Sequence, residues 1–151
     1  MKILISETQL KNVIEQKLIG YTPEKIDGFV IEGNNVIKKF KNTFLKYFSQ
    51  LQSLNVGWVF KNLKDFKGVL DDMQRDIDIL EKVSLKYYSV IEIYEIGDYP
   101  ENVKKLSKIY DTIESIVYEI QSVRDIYVAI HDSIEHYSEW NKHSIEQNIE
   151  I

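Results

Sequence analysis

The chain has 151 residues, of which 44% are hydrophobic and 28% are charged, and its formal net charge is −5 at pH 7. These values are typical of a folded globular chain and exclude extensive disorder, so we expect a single domain over residues 1–151. The sequence contains no run of 18 apolar residues and no cysteine, and its Ile3-Leu4-Ile5 run is too short for a signal-peptide core. We therefore expect a cytoplasmic protein without a membrane span, disulfides or thiolate metal sites.

Residues 6–19 are predicted to form a short amphipathic helix. Ser6 and Gln9 have the spacing of a capping box, in which each side chain accepts a hydrogen bond from the backbone amide of the other residue. Gly20 is a typical residue for the end of such a helix. The apolar face consists of residues at helical spacing, namely Leu10, Val13, Ile14 and Leu18.

The segment from Gly20 to Asn35 leaves two alternatives open. Phe29–Glu32 and Val36-Ile37 flank a Gly-Asn-Asn sequence and could close a small β-hairpin, whereas Asn34 or Asn35 could cap a helix that follows. We expect an irregular connector here, followed by a helix over residues 36–54. The apolar residues of that helix have helical spacing: Val36, Ile37, Phe40, Phe44, Leu45, Phe48 and Leu51.

Residues 60–96 and 100–137 are predicted to form a long antiparallel helical hairpin. The first arm carries one narrow apolar stripe, interrupted only by Ser84 and made of Leu63, Phe66, Leu70, Met73, Ile77, Leu80, Ser84, Tyr87, Ile91 and Tyr94. A narrow stripe packs against a single partner helix. Because the connection is short, the next segment of the chain is expected to be that partner. Asp98 and Glu101 have capping-box spacing, and Pro100 between them fits a helix start.

The second arm has a wider apolar face, which predicts two neighbouring elements. One row continues the stripe, and a second row beside it contains Ile109, Ile116, Val123, Ile130 and Tyr137. We expect helix 36–54 to cover that second row. The short connection further predicts that facing residues have numbers summing to about 197, which places Tyr87 opposite Tyr110 and Phe66 opposite His131. The predicted fold class is therefore all-α: an elongated antiparallel hairpin packed with a third helix and the short N-terminal helix in a three- to four-helix bundle.

Charge is divided unevenly along the chain, with +4 on residues 1–62 and −9 on residues 63–151. Lysines at positions 38, 39, 41 and 46 alternate with aromatic residues, a pattern that can bind nucleic acid through phosphates and stacked bases. These aromatic residues have the spacing of a core, however, so we do not expect nucleic acid as a partner. The acidic run Asp71, Asp72, Asp76, Asp78 and Glu81 is interpreted as a solvated helix face, with an electrostatic contact to a basic partner as the alternative.

No metal or other cofactor is expected. Asp132, His136, Glu139 and His143 follow one another at spacings of four, three and four residues, which would place possible zinc ligands on one helix face. A single helix rarely supplies more than two ligands to one ion, so we interpret these residues as a solvated stripe. His131 lies on the apolar stripe and is predicted to be a core histidine bonded to a neighbour.

Sequence patterns of catalysis are absent. The chain has no glycine-rich phosphate loop, no Gly-x-Ser-x-Gly and no His-Glu-x-x-His, and its six glycines occur singly. We therefore expect a protein that is not an enzyme and that has no small-molecule substrate.

The N-terminal sequence Ile5-Ser6-Glu7-Thr8-Gln9-Leu10-Lys11-Asn12-Val13-Ile14 resembles a start that recurs in small helical proteins of tailed bacteriophages, Ile-(Ser/Thr)-Glu-x-Gln-Leu. The resemblance covers ten residues. It implies a virion or assembly component, or a small protein that binds host factors, located in a bacterial host cell or a virion. It implies no active-site residue.

The second apolar row is longer than helix 36–54, so part of it is expected to remain uncovered and to contact a protein partner or another copy of the chain. That surface is predicted at Ile130, Ile134, Tyr137 and Trp140. The expected function is a structural, assembly or protein-interaction role. The alternative is an acidic inhibitor, immunity or antitoxin-like protein that blocks a host or rival macromolecule.

Overall fold

The computed structural model describes Ser6, Thr8, Gln9 and residues 21–94 and 100–149, the last eight by their backbone alone. Thr8 and Gln9 are helical, four α-helices lie within the described residues from 21 onward, and no strand occurs among the described residues: α1 (Pro23–Gln52), α2 (Val56–Lys61), α3 (Leu63–Tyr94) and α4 (Glu101–Ile149). The predicted all-α bundle with two long helices packed against each other is confirmed. None of the described helices is both long and apolar enough to cross a membrane.

The predicted N-terminal capping box is present. The Gln9 amide donates to Ser6 Oγ at 3.2 Å, and the Ser6 amide donates to Gln9 Oε1 at 3.0 Å. The rest of the predicted helix 6–19 lies outside the described residues, as does the predicted turn Gly97–Tyr99 with its Asp98 cap.

Helix α1 begins at Pro23, which corrects the prediction for the segment before residue 36. Thr22 caps the helix: its Oγ1 accepts from the Lys25 amide at 3.2 Å, and its carbonyl accepts from the Ile26 amide at 3.0 Å. Pro23 takes the first helical position, where no amide hydrogen is needed. The irregular connector and the β-hairpin are therefore both wrong for residues 23–35, and neither Asn34 nor Asn35 caps a helix.

Gly33 explains why that prediction failed. It is a buried residue inside α1, and a Cβ atom built on it would lie 2.5 Å from Ile109 Cγ2 and 3.1 Å from Tyr87 Cε2. Gly33 is thus a point of close helix approach rather than a helix break. Ile26, Phe29 and Phe40 are buried on the same face of α1, so the helical apolar pattern already begins before residue 36.

The short helix α2 separates α1 from α3. Asn55 caps it by accepting a hydrogen bond from the Trp58 amide at 3.0 Å, and Val59 is its buried residue. The Asn62 carbonyl then accepts from the Phe66 amide at 3.0 Å, which starts α3. The first arm of the hairpin consequently begins at Leu63 rather than at residue 60, and Phe60 belongs to α2.

The apolar stripe of α3 is confirmed, because Phe66 to Ile91 of the stripe are buried and its end residues Leu63 and Tyr94 are half-buried. Its polar member Ser84 is satisfied by a hydrogen bond from its hydroxyl to the Glu114 carboxylate. On α4 the second row is confirmed over Ile109, Ile116 and Val123, all buried. Helix α4 extends past the predicted end at residue 137 to Ile149, because neither glycine nor proline follows Pro100 in the sequence.

The predicted pairing of α3 with α4 is confirmed at Phe66 and is shifted by one residue at Tyr110. Phe66 stacks on His131, with 6.4 Å between ring centroids and 9° between planes. Tyr110 lies beside Tyr88 at 5.4 Å rather than beside Tyr87. Tyr87 turns instead toward α1, where it contacts Phe29 at 5.6 Å.

The chain divides into two compact units: the described residues of Met1–Phe40 with Leu80–Ser115, and those of Lys41–Ile79 with Ile116–Ile151. In the first unit, Glu32 of α1 accepts hydrogen bonds from Lys86 at 2.6 Å and from the Tyr87 hydroxyl at 3.1 Å. In the second unit, the Tyr47 hydroxyl donates to Asp76 at 2.6 Å. The expectation of one domain over residues 1–151 remains a prediction.

Candidate functional site

The four residues predicted to contact a partner all lie on α4 in the second unit, but they differ in exposure. Tyr137 and Trp140 are 55% and 60% exposed, and Ile130 is half-buried. Ile134 is only 9% exposed, because it lies seven residues after the buried Tyr127 and shares its side of the helix. The expectation that Ile134 is uncovered is therefore wrong for most of its side chain.

Three exposed aromatic residues meet at this place, and we call them the aromatic surface: Phe60, Tyr137 and Trp140. The Phe60 and Tyr137 rings contact edge to face with centroids 6.3 Å apart, and Tyr137 and Trp140 are also 6.3 Å apart. Phe60 comes from α2, and sequence reasoning missed it. Asparagine is favoured at helix caps, so Asn55 is the residue that could have indicated α2, but only the packing brings Phe60 to Tyr137.

A shallow groove adjoins the aromatic surface. Its lining contains two small side chains of α4, Ala129 and Ser133, together with Val56 of α2 and with Asp125, Ile126, Ile130 and Ile134 of α4. Val56 and Ile126 are exposed large apolar side chains. Two small residues four positions apart leave a depression on a helix into which a neighbouring side chain can fit.

Buried contacts beneath the groove hold α4 in position. The Tyr127 hydroxyl donates to the Tyr47 carbonyl at 3.1 Å, and the Tyr127 ring stacks on Phe66 with 5.2 Å between centroids. Arg124 Nε donates to the Leu70 carbonyl at 3.2 Å. The surface therefore stands on a helix fixed to both α1 and α3, as a preorganised contact site requires.

The prediction of a core histidine at His131 is confirmed. The residue is buried, and its Nδ1 lies 3.1 Å from Asp132 Oδ1 and 3.5 Å from Glu135 Oε2. These three groups lie within 4.8 Å of one another, close enough to share an ion, although both carboxylates are exposed to solvent. Of the stripe considered as zinc ligands, Asp132, His136 and Glu139 are exposed, and the His143 side chain lies outside the described residues.

The lysine-rich part of α1 presents a second mixed surface. Phe40 and Tyr47 are buried, as their core spacing predicted. Leu45 and Phe48, however, are 56% and 41% exposed, and the Phe48 ring stacks on Phe44 at 6.0 Å. That this chain does not bind nucleic acid remains a prediction.

Asp76 belongs to the acidic run of α3, but it accepts a hydrogen bond from Tyr47 and contributes less to the exposed acidic face than its neighbours do. Burial raises the pKa of the Tyr47 hydroxyl, and its hydrogen bond to Asp76 raises it further. Asp76 is half-buried, whereas Asp71, Asp72, Asp78 and Glu81 are exposed. Arg75 pairs with Asp72, so the exposed acidic face is partly neutralised.

A pocket of about 310 Å³ lies among the end of α1, α2, α3 and α4 in the second unit. Its lining is aromatic and amide-rich: Gln50, Ser53, Leu54, Asn55, Trp58, Phe66, Val69 and Tyr127. Among these lining residues none carries a charge, and the Tyr127 hydroxyl is already bonded to a carbonyl. The pocket therefore offers no obvious general acid or base.

Comparisons of this chain with protein-family models, with curated proteins and with solved structures find no match.

Proposed function

We propose that this chain is a non-enzymatic protein-interaction or structural assembly protein that binds through the aromatic surface and its adjoining groove. The resemblance at residues 5–14 supports a finer assignment, a virion or assembly component of a tailed bacteriophage. Binding rather than catalysis is proposed because the pocket lined by Trp58 and Tyr127 contains no charged side chain, and the Tyr127 hydroxyl already donates to a backbone carbonyl.

The contact between Phe60, Tyr137 and Trp140 carries the proposal. Three large rings from two helices expose apolar area to water at one place, and the groove beside them adds Val56 and Ile126. Isolated exposed apolar side chains are common on proteins, whereas adjoining ones mark contact sites. Tyrosine and tryptophan are also enriched among the residues that dominate binding energy at interfaces.

The test is capture of partners from a bacterial lysate, together with sedimentation of the purified chain. The variant Tyr137→Ser/Trp140→Ser removes two rings that lie largely in solvent, so its helix content by circular dichroism should equal that of the parent chain. We expect this variant to lose both the captured protein and any self-association.

The matched control is Tyr118→Ser. Tyr118 lies on the same helix and is 74% exposed, but neither the aromatic surface nor the groove includes it. This control should keep the captured protein. Equal capture by the parent chain, the control and the double variant would remove the aromatic surface from consideration.

The exposed acids of α3 favour a second candidate function, an acidic inhibitor, immunity or antitoxin-like protein. Asp71 and Asp78 would meet a basic target there, and such a complex should weaken steeply as salt rises. Binding through the aromatic surface should survive raised salt better, because burial of apolar area is not screened. A salt series on the captured complex separates the two functions.

A further inference from the structure

We propose that a second copy of this chain occupies the aromatic surface and groove, and that it docks with the exposed side of its own α1. The inference rests on the proposed function and adds the identity of the partner. The docking side of α1 is called the basic stripe and is defined by Lys41, Leu45 and Phe48.

The basic stripe has the geometry of a helix contact. Its residues are separated by four and three positions, so their side chains lie on one side of α1. Leu45 and Phe48 are exposed large apolar side chains, and Lys41 stands one turn before Leu45. This side of α1 therefore presents apolar area next to positive charge.

Charge supports a pairing between unlike surfaces. The part of α1 from Gly33 to Gln52 carries four lysines and no acidic residue, whereas α4 from Ile116 to Asn141 carries five acidic residues and one arginine. Asp125 lines the groove and is exposed to solvent, so it can meet Lys41 of the second copy. Opposite charges at the rim of an apolar contact select the partner and its orientation.

The same charges disfavour the symmetric alternatives. Contact between two α4 surfaces would bring like acidic groups together, and contact between two basic stripes would bring lysines together. The pairing of α1 with α4 is a heterologous contact, in which two different surfaces meet. Each added copy leaves one basic stripe and one aromatic surface free, so association continues into rings or filaments.

Complementary variants test this arrangement directly. Variant A is Tyr137→Ser/Trp140→Ser, and variant B is Leu45→Ser/Phe48→Ser. In sedimentation velocity, the sedimentation coefficient of the parent chain should rise with concentration. Variant A alone and variant B alone should stay monomeric, and an equimolar mixture of A and B should form dimers. The dimer forms because A retains a basic stripe and B retains an aromatic surface, and it cannot grow further.

A charge exchange provides a second test that leaves the apolar residues in place. Lys41→Glu should weaken self-association by about tenfold, because the introduced carboxylate would face Asp125 of the next copy. Asp125→Lys should weaken it likewise, and mixing the two variants should restore association, because both contacts between unlike chains then pair opposite charges. Circular dichroism should show the same helix content in every variant, since each changed side chain is exposed.

Negative results that overturn the self-association differ from the result that overturns the proposed function. Self-association of variant B at the level of the parent chain would overturn the inference while leaving the aromatic surface as the binding site. A mixture of A and B that stays monomeric, or a parent chain that is monomeric at all concentrations, would also overturn it. The proposed function fails by a different result, equal capture of a partner by the parent chain and variant A.

Discussion

Gly33 of α1 faces Ile109 of α4 so closely that a Cβ atom on Gly33 would lie 2.5 Å from Ile109 Cγ2. The Tyr87 ring of α3 borders the same place, since its Cε2 atom would lie 3.1 Å from that Cβ atom. Three helices of the first unit thus meet at one residue without a side chain. Neither neighbour is a flexible chain end, because Ile109 is β-branched and buried and the Tyr87 hydroxyl is fixed to Glu32.

Gly33→Ala should therefore destabilise the protein. Overpacking of a core typically costs about 1–3 kcal/mol, whereas the better helix propensity of alanine returns only about 1 kcal/mol. The free energy of unfolding from urea titration measures the difference.

Gly28→Ala is the matched control for that substitution. Gly28 lies in the same helix, but nothing stands within 4 Å of its added Cβ. This variant should be more stable than the parent chain by about 0.5–1 kcal/mol. Stabilisation of the protein by both substitutions would contradict the close packing at Gly33.

Ile113 and Ile120 on α4 should be among the most sensitive positions to truncation. Both are fully buried, so replacing either by alanine should lower the free energy of unfolding by about 2–5 kcal/mol. Lys108→Ala should change stability little, because Lys108 is exposed. Similar melting temperatures for Ile113→Ala and Lys108→Ala would contradict the orientation of α4.

Periodicity made α3 and its pairing predictable from the sequence. Ten stripe residues in a three-four alternation define one side of a helix, and the short connection left only one neighbour for it. The contact between Phe66 and His131 followed from these two facts. Periodicity predicts which side of a helix is apolar, but it does not predict which individual rings are in contact. The contact of Tyr110 with Tyr88 rather than with Tyr87 was therefore not predicted.

The start of α1 was not predicted, because a glycine in a sequence can mark either the end of a helix or a close approach between two packed helices. Gly33-Asn34-Asn35 is typical of a turn, and tertiary contact overrides that preference here. A usable signal existed in Thr22-Pro23, which has the residue types of a cap and a first helical position. At the candidate site, the apolar row of α4 led to Tyr137, while Phe60 required knowledge of how α2 packs.

The hydrogen bond from Tyr127 to the Tyr47 carbonyl should contribute modestly to stability. Tyr127→Phe removes the hydroxyl but keeps the ring stacked on Phe66, so the free energy of unfolding should fall by about 1 kcal/mol. Tyr127→Ala removes the ring as well and should cost about 3–5 kcal/mol. Thermal unfolding of both variants checks the order, and equal losses would show that the ring contributes nothing beyond the hydroxyl.

Alkaline pH should destabilise the protein through Tyr47 and Tyr87. Burial raises the pKa of both hydroxyls, and the second cause is the hydrogen bond to Asp76 for Tyr47 and the charge of Glu32 for Tyr87. In the unfolded chain a tyrosine loses its proton near pH 10, roughly its ordinary pKa. Above that pH the folded state binds more protons than the unfolded state, so stability is complete below pH of about 10 and declines as pH rises further.

Urea titrations between pH 7 and pH 11 measure that decline. Tyr47→Phe and Tyr87→Phe should each flatten it, because phenylalanine has no proton to lose. Ile113→Ala is the control, since it lowers stability at every pH while keeping all ten tyrosines, and its decline should parallel that of the parent chain. A decline in the Tyr47→Phe/Tyr87→Phe double variant as steep as in the control would assign the alkaline sensitivity to other groups.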